Sequence, residues 1–296
     1  MYERLIYRND KGGEIELSPY AATIYHVNVS QDVTGLRDVK AKVQTSSTLG
    51  QDGATFESSY IESRDITIKG HIRTLDARKQ REAMRALDHV LNPKNAGTLI
   101  YQYGDFTRSI TCHAETAPQY KAGKSWPEYT IDLVCPSPFW VEEAQTYQEI
   151  STWEGYFEFP DPGGLELAAG WEIGGRLANI IVTVPNAGDV DCGLTIQFTA
   201  LGSVTNPKLL NVVTGEYMQL TTSMQGGDII EVTTHYGNRR ATLIRNGVRS
   251  NVFRTVSSGS TFIQLAVGDN LFKVEAGAGY ADLDVSVIYS NQYLGV

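Results

Sequence analysis

The chain has 296 residues, 42% of them hydrophobic and 20% charged, with 28 glycines and a formal charge of −9 from 25 basic and 34 acidic side chains. That length accommodates two domains, each with a real core, and the composition is that of an ordered globular protein. A net acidic chain argues against a general nucleic-acid binder, no apolar run approaches the ~18 residues of a membrane span, and the start, MYERLIYRND, lacks the apolar stretch of a secretory signal.

The charge is unevenly placed. Residues 1–140 carry 17 basic and 17 acidic side chains, so the whole −9 lies in residues 141–296, which have 8 and 17. Glycine shifts as well, with 9 before the divide and 19 after it. Two halves of different composition read as two domains, 1–140 and 141–296, with Pro136 and Pro138 at the junction. Residues 141–175 read as a connecting segment, because FPDPGGLELAAGWEIGG (159–175) has neither helical nor strand periodicity.

The first half reads mainly as strand. ATIYHVNVS (22–30) and DITIKGHI (65–72) alternate with period two, the second setting Ile66, Ile68, Gly70 and Ile72 against Asp65, Thr67, Lys69 and His71. TLIYQY (98–103) and RSITCHAE (108–115) flank the turn signal Gly104-Asp105, and SWPEYTIDLVC (125–135) places Tyr129, Ile131 and Leu133 on one face. One helix stands among them, DARKQREAMRALDHVLNP, with Asp76 as its N-cap, Met84, Leu87 and Leu91 at helical spacing, and Asn92-Pro93 as its stop. Arg78, Lys79, Arg81 and Arg85 make its outer side basic. Between strands near 37–43 and 54–61 lies the polar stretch QTSSTLGQDGAT, whose Gly50 and Asp52-Gly53 allow left-handed backbone. Such a stretch is either a mobile loop or an arm ordered by another subunit. The second half reads as all-β, many short strands divided by Asn, Asp and Gly turns such as Asn246-Gly247, which suggests a β-sandwich or jelly roll.

Chemistry is sparse. Cys112, Cys135 and Cys192 are an odd set without C-x-x-C spacing, which offers neither a disulfide framework nor a zinc site and reads as buried, inert thiols. The five histidines form no metal-binding spacing, and no nucleophile elbow, phosphate loop or cofactor fingerprint is present. Glu142-Glu143 or Glu154/Glu158 could form an acid–base pair, and Trp153, Tyr156, Phe157, Trp171, Tyr217 and Tyr236 could stack on sugars. Solvated carboxylates and aromatics packed in a sandwich are the simpler reading of both sets. The residues indicate no enzyme, no cofactor and no metal.

The order of RDITIKGHI, the helix ending ALDHVLNP, TLIYQYGDFTRSITCHAE and YTIDLVCPSPFW resembles the first domain of the siphophage distal tail protein (Dit) family. PNAGDVDCGLTIQF, GGDIIEVTTHYGNRRATLIRNGV, LAVGDN and the terminal SNQYLGV resemble that family's second domain. The resemblance implies a mainly β protein, with an N-terminal tail-tube-like domain carrying one flanking helix and a C-terminal galectin-like β-sandwich. It implies a structural virion protein of the tail tip, made in the host cytoplasm. Six copies would form a ring joining the tail tube protein to tip or baseplate proteins, and a receptor-binding protein is a further candidate partner. DNA would pass through the lumen without specific binding, and no membrane is involved.

On this resemblance Thr48, Leu49, Gly50, Asp52 and Gly53 form an arm reaching a neighbouring subunit, and Arg78, Arg81 and Arg85 are a candidate interface face. The alternative function is a carbohydrate-binding module for host glycans, with His235, Asn238, Arg239 and Arg240 as contacts, although no tryptophan follows residue 171.

Overall fold

The computed structural model describes residues 3–19, 23–121, 126–150, 153–155, 174–176 and 180–296. The chain divides into two compact units, Met1–Glu143 with Gln292–Val296, and Ala144–Asn291. The side chains of Trp153 and Glu154, all of Tyr156, Phe157, Glu158 and Trp171, and most of the 159–175 stretch lie outside the described residues.

The first unit is built on an 11-stranded antiparallel sheet. Its main path runs Glu14–Leu17, Glu3–Asn9, Ala96–Tyr103, Phe106–Ala114, Glu128–Cys135, Arg64–Ile72 and Tyr25–His26. A bridge between Ser18 and His26 brings the two ends of that path together, so the sheet is nearly a barrel. Arg64–Ile72 alternates as its sequence requires, with Ile66, Ile68 and Ile72 fully buried. Gly70 lies beneath the Tyr129 ring: a Cβ there would sit 2.4 Å from that ring, so the tyrosine occupies the space a side chain would take. Gly97 stands in the same relation to Tyr7.

The helix Ala77–Val90 packs against this sheet through Ala83, Leu87 and Val90. Asp76 caps it, accepting from the Arg78 and Lys79 amides at 2.9 and 3.5 Å. Tyrosine hydroxyls fix the helix: Tyr25 donates to the Ala83 carbonyl at 2.9 Å and Tyr120 to the Met84 carbonyl at 3.0 Å.

One expectation changes here. Among the described residues 23–30 only Tyr25–His26 joins the sheet, and Val29–Asp32 forms a single helical turn. Val27 and Val29 are buried as the alternation indicates, but Asp32 accepts from the Asn28 amide at 3.1 Å and folds the backbone into that turn.

The second unit holds two antiparallel sheets around one core. One runs Thr146–Glu149, Leu283–Tyr289, Cys192–Ala200, Ile229–Thr233, Arg240–Arg245 and Val248–Asn251, and the other Ile181–Asn186, Gly268–Glu275, Lys208–Asn211 and Tyr217–Gln219. Leu194, Ile196 and Phe198 of the first share a core with Val184, Leu209, Met218 and Phe272 of the second. Asn246 and Gly247, at φ 50° and 77°, make the tight hairpin turn that their sequence signals.

Asp228, buried at a turn, accepts from the Gln225 amide at 2.8 Å and from Arg245 Nε at 2.7 Å. Arg245 holds the Asp228 carboxyl below its ordinary value of 3.8. A carboxyl depressed on folding stabilises above its unfolded pKa, and that contribution is lost as pH falls through the folded one. Asp228→Asn should therefore lower the second unit's thermal midpoint at neutral pH. The gap from the parent chain should close as pH falls below 3.8, as scanning calorimetry would show.

Candidate functional site

The features that set this chain apart are surfaces rather than a cleft. Ala41–Ser46 and Thr55–Ile61 pair only with each other, in a two-stranded sheet with a register shift between Gln44 and Thr45. All of their residues are exposed except Ile61, which is partly so. At the tip, Thr48 donates through both its amide and its hydroxyl to the Gln51 side chain, and the Gln51 amide donates to the Thr48 carbonyl at 3.0 Å. Gly50 and Gly53 take φ of 86° and 83°. Thr48, Leu49, Gly50, Asp52 and Gly53 thus all lie at the end of an isolated hairpin. Apolar side chains run along it: Val43, Phe56 and Tyr60 are about half exposed and Leu49 wholly so. Because Glu57 is the extra residue at the register shift, Phe56 shares a face with Thr45 and Val43, while Tyr60 and Ser58 lie on the other face.

The hairpin's base is held firmly. The Glu62 amide donates to the Lys40 carbonyl, and two residues on stands Arg64, 3% exposed. Its guanidinium donates to the carbonyls of Pro138 (2.7 Å), Gly35 (2.8 Å), Leu36 (2.9 Å) and Leu294. Trp140, fully buried, donates its indole N–H to the same Leu36 carbonyl. The chain's last residues return here. Gln292–Tyr293 pairs with Trp140–Glu142, Arg108 lies over the Tyr293 ring and donates to the Gly295 carbonyl, and Arg37 donates to the Val296 carbonyl.

Arg64 escaped sequence reasoning, although its signal was present. Stepping back by two from Ile66 on the inner face of RDITIKGHI lands on it. The tail's return left no local signal, because its partners lie some 150 to 260 residues away along the chain.

On the helix, Arg78, Arg81 and Arg85 are exposed along one side, and Arg78 pairs with Glu82 at 3.0 Å. In the second unit the four candidate glycan contacts separate. His235 packs against Gly193, where a Cβ would lie 2.7 Å from its ring, and burial pushes its pKa below the ordinary value. Asn238 closes a turn onto the His235 carbonyl. Arg239 and Arg240 instead line a concavity of about 590 Å³ with Asn251, Val252, Phe253, Arg254 and Thr255. Arg239 lies over the rings of Tyr236 and Phe262 at 5.1 and 5.0 Å.

The ion pairs of the second unit are instructive. Lys208 and Lys273 both pair with Glu275, Arg245 with Asp228 and Arg249 with Glu231. Arg239, Arg240 and Arg254 have no carboxylate partner among the described residues, and all three line the one concavity. Among the described residues no group of three or more His, Cys, Asp or Glu could hold a metal, and no helix is long and apolar enough to cross a membrane.

The sequence places this fold among phage tail components. Two family models match the sequence, the phage tail protein RIFT-related domain over residues 15–135 and the siphovirus-type tail component, C-terminal domain, over residues 187–293. The chain belongs to the siphovirus Dit family, and it is a component of the virion's tail tip or baseplate. Its fold is similar to that of SPP1 Dit, described as a paradigm of the hub adsorption apparatus in phages infecting Gram-positive hosts. That likeness has a TM-score of 0.69 at 13% identity, covering 98% of this chain and 99% of the other. It is also similar to a chain of the phage P2 baseplate in its activated conformation, with TM-score 0.55 at 12% identity over the full length of both. No curated protein matches the sequence.

Replacing Arg64 by Met removes the guanidinium donors from four carbonyls, of which only that of Leu36 keeps a donor in Trp140, and this should cost about 3 kcal/mol or more in urea unfolding. Arg64→Lys should recover only part of this, because an ammonium lacks the planar fork. Both variants should expose the C-terminal residues to carboxypeptidase faster than the parent chain does.

Proposed function

We propose that six copies of this chain close into a ring at the distal end of the tail tube and join the tube to the host-recognition tip. The first unit makes the ring and the second is carried on its periphery, as the family resemblance implies. The observation that supports this most directly is the self-paired hairpin of residues 41–61. A lone two-stranded sheet is at best marginally stable in water, and this one carries Val43, Leu49, Phe56 and Tyr60 with nothing among the described residues to cover them. A neighbouring subunit around a closed axis supplies the missing surface, in a heterologous contact repeated at every interface. The basic stripe of Arg78, Arg81 and Arg85 would meet an acidic neighbour in the same ring.

Light scattering of the purified chain should give six times the chain mass, and a monomer at all concentrations would overturn the ring. Deleting residues 46–54 should abolish or weaken the hexamer, since the tip and its Leu49 are then gone. Arg78, Arg81 and Arg85 changed together to glutamate should shift mass toward smaller species if that face is an interface. An unchanged mass would remove the helix from it while leaving the arm standing.

The unpaired arginines favour a second reading, in which the outer unit binds a host glycan and that glycan is acidic. In a net acidic unit, three guanidiniums without carboxylate partners among the described residues around one concavity, beside the exposed Tyr236, suit a carboxylate or phosphate on a sugar. A glycan array probed with the full chain should light up on acidic glycans alone. The Arg240→Ala, Arg254→Ala double variant should bind them at least about tenfold more weakly, given that each charge-assisted contact is worth ~1.5–3 kcal/mol. Binding to neutral sugars, or none at all, would remove this reading and leave the ring untouched.

A further inference from the structure

Cys112 and Cys135 stand on neighbouring antiparallel strands of the first unit, Phe106–Ala114 and Glu128–Cys135. The register pairs Leu133 with Ala114 and Val134 with His113, so one further step sets Cys135 opposite Cys112. The Glu115 amide donates to the Asp132 carbonyl at 2.9 Å, which makes 115/132 a hydrogen-bonded pair. Opposed pairs alternate along an antiparallel ladder, so 112/135, an odd number of steps away, falls at a non-hydrogen-bonded position. There the Cα atoms approach to about 4.5 Å and side chains come closest, within the roughly 4.4–6.8 Å that a disulfide spans. Both residues are fully buried on the inner face and both are free thiols. Cys192, the third, is buried in the other unit opposite Leu265.

We propose that Cys112 and Cys135 are a latent disulfide site that closes when the chain meets an oxidising medium. The oxidant is a low-molecular-weight disulfide such as oxidised glutathione. One cysteine thiolate attacks it, forming a mixed disulfide and releasing one glutathione. The second cysteine then displaces the other glutathione and the protein S–S bond forms. In all, two protein thiols lose two electrons and two protons, and one glutathione disulfide becomes two glutathiones. The adjacent Cys135 thiol and burial both push the Cys112 thiol well above its ordinary range, so thiolate is scarce while the ladder is closed. The exchange therefore runs while the ladder is open, during folding or local unfolding. Its product staples the last residue of one central strand to its neighbour, directly before the Pro136–Pro138 corner.

The full chain, refolded from denaturant in a glutathione redox buffer, tests this by a count of free thiols under denaturing conditions and by unreduced peptide mapping. The three free thiols should fall to one, with a cross-link between the peptides holding Cys112 and Cys135. The Cys192→Ser variant should fall to none, and Cys112→Ser should keep both of its remaining thiols. Should Cys112→Ser fail to fold, the counts on the parent chain and on Cys192→Ser decide alone. Three persistent thiols, or a link that includes Cys192, would overturn the site. The oxidised parent should also melt higher than the reduced one and return on treatment with dithiothreitol; equal midpoints would overturn the stapling role.

Discussion

The first unit depends on one buried guanidinium. Arg64 occupies an inward position of a central strand where the alternation calls for an apolar residue, and it uses that position to gather carbonyls from Gly35, Leu36, Pro138 and Leu294. Nothing else on the side-chain menu does this. A planar fork with five N–H donors can reach four acceptors in different directions, whereas an aliphatic residue would leave the Gly35, Pro138 and Leu294 carbonyls without that donor and the Leu36 carbonyl with Trp140 alone. No ion-pair partner attends it among the described residues, so its charge is met by aligned carbonyl dipoles. Three distant stretches of chain are thereby fixed at the foot of the exposed hairpin, and that foot is where a free arm must be anchored if it is to carry load.

Most of the architecture was legible wherever periodicity is local. The helix could be read to its cap, because Asp76 and the spacing of Met84, Leu87 and Leu91 act within a few turns of each other. The long strands were legible because each buries one face, which forces alternation. Residues 22–30 misled for an informative reason. The inward Tyr25, Val27 and Val29 fit a strand, yet a side-chain bond from Asp32 to the Asn28 amide competes with the ladder and wins. The return of the C-terminal tail, the opposition of Cys112 and Cys135, and the splitting of His235 and Asn238 from Arg239 and Arg240 depend on register and on contacts far apart in sequence. Spacing along a chain carries no information about these.

Charge tells a related story. The count that separates the halves of the sequence describes a sum, and within the second unit the sum hides a segregation. Carboxylates near the sandwich's own lysines and arginines are used, Glu275 serving two lysines and Asp228 one arginine with good fork geometry. The arginines left over stand together beside aromatic rings that hold Arg239 in place. Acidity elsewhere keeps such a surface soluble and repels other acidic surfaces, and an anion drawn to this concavity must be held by the local contacts of its arginines against that wider field.

The exposed hairpin finally sets a limit on what the isolated chain can be. Two strands pairing only with each other forgo the shared burial that stabilises a sheet, and this pair adds the cost of exposing Val43 and Phe56 on one face, Tyr60 on the other and Leu49 at the tip. A monomeric protein gains nothing from keeping such a structure. Its glycines at positive φ, its tip hydrogen bonds and its firmly held base are all consistent with a shape built before its partner arrives, which lowers the ordering cost at the moment of contact. A preformed arm on a rigid foot makes repeated, identical contacts around a closed axis possible, because each subunit then presents the same surface to the next at the same angle.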